Sequence, residues 1–155
     1  MTYQSKQIEA LNDLIEINQD RMKGYDRAVE ELQDSHSIVT INTFRKYRSD
    51  SQQFISELSQ QVRSLGGEPE SDSSFLGSLH RAWMDLKTSI SGDEKESALG
   101  SCIFGDEAAV KAYEDTLSPS EDYNLTAESI SMLQGQLSSI RTALFANKAL
   151  KELVN

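Results

Sequence analysis

The sequence predicts an all-α protein, a bundle of four long helices, and three observations carry that expectation. Apolar residues recur in alternating steps of three and four through most of the chain, the spacing that lines one face of a helix. Turn-forming residues interrupt these seams at only a few places. No period-two alternation of the kind a half-buried strand needs survives beside them.

The first helix is expected over residues 5–33, on the seam Ile8, Leu11, Ile15, Asn18, Met22, Tyr25, Val29 and Leu32. Asn18 is its polar member. Glu9, Asp13, Glu16, Asp20, Arg21, Lys23 and Arg27 fall between the seam positions and are assigned to a wetter face. After the short polar turn Asp34-Ser35-His36-Ser37, a second helix is expected over 38–65 on Ile41, Phe44, Arg48, Ser51, Ile55, Leu58, Val62 and Leu65. Gly66-Gly67 stops it, because glycine takes the left-handed conformation of a helix C-cap, and Pro69 stands just beyond. A link rich in Gly, Ser, Asp and Glu leads to a shorter helix over 74–90, on Leu76, Leu79, Trp83, Leu86 and Ile90, which Gly92 ends. Asp93 and Glu96 have the spacing of a capping box and open the third long helix, 94–117, closed by Ser118-Pro119. The last helix is expected over 126–153, on Ile130, Leu133, Leu137, Ile140 and Leu144.

A short turn makes neighbouring helices antiparallel, which applies to the first pair and to the last pair. The middle helix of ~17 residues spans about 25 Å, so with its flanks it carries the chain from one end of the bundle back to the other. That is the long crossover of a ferritin-like four-helix bundle, with an additional short helix in the crossover. The competing arrangement is a five-helix up-and-down array, and the short length of the middle helix speaks against it.

At 155 residues the chain matches a single domain, 1–155, able to bury a core without disulfides. No apolar run approaches the ~20 residues of a membrane span, and Met1 to Gln7 lack the apolar region of a secretory signal. The lone Cys102 fits a reducing compartment, so a cytoplasmic location is expected. The net charge of −10, from 25 acidic and 15 basic residues, repels phosphate backbones and excludes nucleic acid as an expected partner. The stripe Glu9, Asp13, Glu16 and Asp20 is read as a solvated helix face.

Several segments also carry a resemblance. Leu11-Asn12-Asp13-Leu14-Ile15 with Asp20-Arg21 and Gly24-Tyr25, Leu65-Gly66-Gly67-Glu68-Pro69, His80-Arg81-Ala82-Trp83-Met84-Asp85-Leu86-Lys87, and Gly105-Asp106-Glu107 with Lys111-Ala112-Tyr113 are the segments in question. Together they resemble an uncharacterised bacterial family of ferritin-like four-helix-bundle proteins, a domain of unknown function. The likeness covers nearly the whole chain and implies the crossover topology. It implies no activity.

A ferritin-like fold raises the question of a di-iron or di-manganese centre, which needs inward Glu residues and a Glu-x-x-His on each of two helices. His36 has Gln33 three residues before it and His80 has Gly77, so neither completes that motif. The inward positions are Asn18, Arg48, Ser51, Asp106 and Leu137, and an arginine there repels a cation. No metal site is therefore expected, with Glu16 and Glu107 the ligands an atypical site would use. As a phosphoacceptor His80 matches poorly, since Arg81, Ala82, Trp83 and Met84 follow it where a Lys and a small residue are needed. Cys102 lies on the seam Leu99, Cys102, Asp106, Ala109, Tyr113 and reads as a small buried hydrophobe.

The expected interior layer is polar: Arg48 bridging to Asp106, with Asn18 completing the hydrogen bonds, against the alternative that Arg48 reaches solvent along its apolar stem. The expected function is non-enzymatic, with no catalytic residues and no cofactor, exercised through contacts with a protein partner, and a homodimer is compatible with it. The alternative is a metal-binding, di-iron-type oxidoreductase or iron-handling bundle with atypical carboxylate ligands.

Overall fold

A computed structural model describes residues 2–33, 38–71 and 98–154, and these fold into four long helices with no strand among them. They are α1, Tyr3–Leu32; α2, Ile38–Ser64; α3, Ala98–Leu117; and α4, Ala127–Val154. The bounds fall close to those expected from the seams. The short helix expected over 74–90 and the expected start of the third helix at 94 lie outside the described residues.

Local chemistry sets the helix ends. Thr2 caps α1 with extended backbone, its Oγ1 accepting from the Ser5 amide at 3.1 Å, and Thr126 caps α4 by accepting from the Ser129 amide at 3.1 Å. At the end of α2 the Gly66 amide reaches the Arg63 carbonyl and the Gly67 amide the Val62 carbonyl, each at 3.0 Å. This is the Schellman arrangement, and Gly66 supplies its left-handed residue at φ +86°. Gly67 is glycine for a different reason, since a Cβ there would stand 2.8 Å from Cγ2 of Ile8. Gly67→Ala is accordingly expected to destabilise the fold by about 1–3 kcal/mol through overpacking against α1, read as a lower urea midpoint.

Cross-helix contacts fix the directions. Asp26 meets Arg48, Arg21 meets Ser51, and Gln4 bonds the Leu65 carbonyl, so α1 and α2 are antiparallel. Cys102 lies beside Gly24, Asp106 beside Arg21, and Tyr123 beside Gln7, so α3 is antiparallel to α1 as well. Tyr113 with Gln136 and Glu107 with Lys148 make α4 antiparallel to α3. α2 and α3 therefore point the same way, which both the crossover bundle and the five-helix array require. α1 packs on α2 and α3, α3 packs on α4, and α2 and α4 touch sparsely.

The central position of α1 explains why it buries more than one seam. Leu11, Ile15, Asn18 and Tyr25 are buried as expected of the first stripe, but so are Leu14, Ile17, Arg21 and Ala28. The second stripe also runs in steps of three and four, and Arg21 belongs to it rather than to a wet face.

The core is divided in two along its length. One apolar cluster gathers Leu14, Ile17, Leu58, Val62, Leu133 and Ile140 with their neighbours. The other gathers Tyr25, Ala28, Ile41, Phe44 and Cys102. Fully burying each aliphatic side chain stabilises by about 1.5–3 kcal/mol, so both clusters contribute substantially. On every helix a polar residue stands between the two apolar stretches: Asn18 and Arg21 on α1, Ser51 on α2, Asp106 on α3 and Asn147 on α4, all buried.

Candidate functional site

These polar residues form a connected layer. Arg21 Nε donates to Asp106 Oδ1 at 2.7 Å, and both side chains are almost completely enclosed. Asp106 Oδ2 accepts from the Tyr25 hydroxyl at 2.7 Å and from Asn147 Nδ2 at 3.1 Å, and the same Asn147 nitrogen lies 2.8 Å from the Tyr25 oxygen. From the other side of the guanidinium, Nη1 donates to Ser51 Oγ at 2.7 Å, and Ser51 donates to Asn18 Oδ1 at 3.0 Å. Asn18 Nδ2 donates to the Leu14 carbonyl and to the Tyr113 hydroxyl, each at 2.9 Å. Tyr113 donates to Gln136 Oε1 at 2.6 Å, and Gln136 Nε2 donates to Glu57 Oε1 at 3.0 Å. One unbroken run of hydrogen bonds thus joins all four helices.

The charges in this layer are matched. Burial pushes the Asp106 carboxyl upward, while Arg21 and the donors Tyr25 and Asn147 favour its ionised form. Three donors converge on it, the set a carboxylate acceptor fits. Burial works against the charge of Arg21, but Asp106 and Tyr25 together outweigh it and hold the guanidinium above its ordinary value. Arg21 also lies over the Tyr25 ring, 5.3 Å from its centroid, and Tyr25 packs on Phe44 at 5.4 Å and on Tyr47 at 5.5 Å. Burial raises the Tyr25 and Tyr113 hydroxyls above the ordinary tyrosine range, so both stay protonated and able to donate.

Of the three residues expected in this layer, Asn18 and Asp106 are in it and Arg48 is not. Arg48 bonds Asp26 Oδ1 at 2.6 Å near the surface, with side chains 38% and 54% exposed. The correction has a simple cause: Arg21 sits directly opposite Asp106, and Ser51, one turn from Arg48, fills the α2 position in the layer. Arg48→Ala is expected to shift stability by no more than about 1 kcal/mol, as for other exposed pairs, in the same urea titration.

Gln136 and Asn147 were missed in the sequence. Their signal was there: they extend the α4 stripe Leu133, Leu137, Ile140 and Leu144 by steps of three.

Glu16 and Glu107, the residues reserved for an atypical metal site, stand on different helices, α1 and α3. Glu16 is buried at 4% exposure, whereas Glu107 pairs with Lys148 at 3.2 Å on the α3–α4 side. Among the described residues, no three His, Cys, Asp or Glu side chains stand together as metal ligands would. His36 and His80 lie outside the described residues. Among the described residues, the layer sets the Arg21 guanidinium directly on Asp106, and a cation in that position does not fit a di-metal centre. Cys102 is buried, its thiol 3.9 Å from the Gly24 carbonyl and pushed up by burial, the opposite of an activated thiolate. No described helix is long and apolar enough to cross a membrane.

Fold and interior together define a helical-bundle protein closed by a buried ionic layer. Residues 6–119 match the family described as a domain of unknown function (DUF2383), and the chain belongs to that family. The match takes in α1, α2 and α3, and with them Asn18, Arg21, Tyr25, Ser51, Asp106 and Tyr113. No curated protein and no solved structure matches the chain.

Proposed function

We propose that the protein is a non-enzymatic bundle of ferritin-like topology, cytoplasmic and working through contacts with another protein, with the short helix over 74–90 lying in its crossover. The observation that carries this reading is Arg21 in the middle of the bundle, bound to Asp106 where a ferritin-like metal centre would place its cations. A guanidinium there repels a metal ion and satisfies the one carboxylate that faces it. Large apolar side chains left outside the core, Ile38, Val39, Phe145 and Leu153 at 70 to 82% exposure, support a role in protein contacts.

The competing reading is a metal-dependent oxidoreductase or iron-handling bundle, and the burial of Glu16 is the observation that favours it. Elemental analysis of untagged protein, expressed with iron, manganese and zinc supplied, separates the two. Less than stoichiometric metal is expected. Two tightly held transition-metal ions per chain would overturn the proposal and make Glu16 and Glu107 the residues to replace. Sedimentation of the same sample reads whether the partner is a second copy of the chain.

A further inference from the structure

Beyond α2 the chain turns back and lies along α1. Gln4 bonds the Leu65 carbonyl, Gly67 is pressed on Ile8, and Asn12 holds two main-chain groups at once. Its Nδ2 donates to the Glu68 carbonyl at 3.1 Å, and its Oδ1 accepts from the Glu70 amide at 2.8 Å. Gln19 donates to the Glu70 carbonyl at 3.1 Å. Docking therefore fixes Glu70 against the stretch of α1 that bears Glu9 and Asp13.

Asp13 is half-buried, and on its other side it lines a cavity of about 220 Å³ between α1, α3 and the α3–α4 connection. The remaining titratable groups on that cavity are Asp115 from α3, and Glu121 and Tyr123 from the connection. Asp115 is paired with Lys111 at 2.9 Å, and no Lys or Arg lines the cavity. The like charges acting on Asp13 are thus Glu9 on its own helix and Glu70 on the docked segment, with Asp115 and Glu121 on the wall of the cavity it lines.

The geometry points to a proton-operated latch: the segment 66–71 is held more firmly on α1 when Asp13 is neutral and more loosely when Asp13, Glu9 and Glu70 are all charged. Three features make Asp13 the responding member. It is half-buried on the cavity wall, Glu9 and Glu70 both act on it, and the clasp by Asn12 fixes the residue that carries one of those charges. Burial first, then Glu9 and Glu70, raise its pKa to about 6. A carboxyl that binds its proton more tightly when docked than when free strengthens docking as pH falls through 6, and the gain is complete below its ordinary value near 4. Only the part of the shift that the docked segment supplies, Glu70 and any burial it adds, enters this linkage, so the whole shift sets a ceiling of about tenfold on the change in the docking equilibrium between pH 7 and 5.

Hydrogen exchange of the Glu70 amide, the group Asn12 holds, reads the latch in the full chain. Its protection, corrected for the pH dependence of intrinsic exchange, is expected to rise several-fold and up to about tenfold from pH 7 to pH 5. In Asp13→Asn it should be flat, and at pH 7 already at least as high as in the unmodified protein at pH 5. Protection independent of pH in the unmodified protein, or an equal rise in Asp13→Asn, would overturn the proposal. A second measurement is independent of that variant: the Asp13 carboxyl, followed by its carbon chemical shift, should titrate near 6 and move toward the ordinary carboxylate value in Asn12→Ala. A midpoint still near 6 in Asn12→Ala would mean that the docked segment does not act on Asp13, and the latch would be rejected.

Discussion

Replacing Arg21 by methionine is expected to lower the unfolding free energy by about 3 to 5 kcal/mol, because it strands the Asp106 carboxylate in a layer that admits no water-exposed alternative. Urea titration at neutral pH reads the loss directly. The double replacement Arg21→Met with Asp106→Leu should recover much of it, since the stranded charge rather than the missing attraction accounts for most of the penalty. The recovery should be partial. Ser51 loses the donor at Nη1, while Tyr25 and Asn147 lose their shared acceptor. A coupling energy below about 0.5 kcal/mol between the two sites would remove the ion pair as a contributor to stability. Set beside Arg48→Ala, the series also tests the placement of the charges, since two arginines on neighbouring helices should differ severalfold in what their loss does.

Tyr113→Phe should cost about 1 to 3 kcal/mol although it removes a single oxygen and leaves the ring packing unchanged. That hydroxyl accepts from Asn18 and donates to Gln136. Asn18 keeps the Leu14 carbonyl as a second acceptor, whereas Gln136 Oε1 loses its donor in a buried position, and this desolvated carbonyl dominates the expected penalty. Tyr3→Phe is the comparison. It removes an exposed hydroxyl whose bond to Asp122 is 3.2 Å long, and should change stability by less than about 0.5 kcal/mol. Equal effects for the two tyrosines would mean that the polar run through the bundle adds nothing to its stability.

The helices were legible because each is long and its apolar spacing repeats, so the seams locate both the elements and their ends. Asp106 was legible for the same reason, standing on two overlapping stripes of one helix. Arg21 was not, because a charged residue between seam positions is ordinarily solvated. What outweighs that rule is the central place of α1, which packs on two helices and so buries two stripes. A helix pattern read alone gives the direction of a side chain around its own axis but not the number of neighbours it will meet. Arg48 shows the reverse error. It lies at a regular seam position, but the buried stripe of α2 runs through Ile41, Phe44 and Ser51 and leaves it at the rim, where Asp26 offers a partner without the desolvation that burial would require. The docking of residues 65–71 left no periodic trace at all, since it is made by main-chain groups and the side chains of Gln4, Asn12 and Gln19.

The spacing of Gln136 and Asn147 on α4 has a bearing on mispacking. Apolar surfaces tolerate sliding, because one leucine can take another's place when a helix shifts by one turn, about 5.4 Å along its axis. The two amides are eleven residues apart, about 16 Å, Gln136 meeting Tyr113 on α3 and Glu57 on α2, and Asn147 meeting Tyr25 on α1 and Asp106 on α3. A one-turn slip of α4 would withdraw both from their partners together, setting Met132 or Ile140 against Tyr113 and Ala143 or Lys151 against Tyr25 and Asp106. The amides therefore act as a vernier on an otherwise permissive surface, costing a one-turn slip its native hydrogen bonds at two points and favouring the observed register for the last helix.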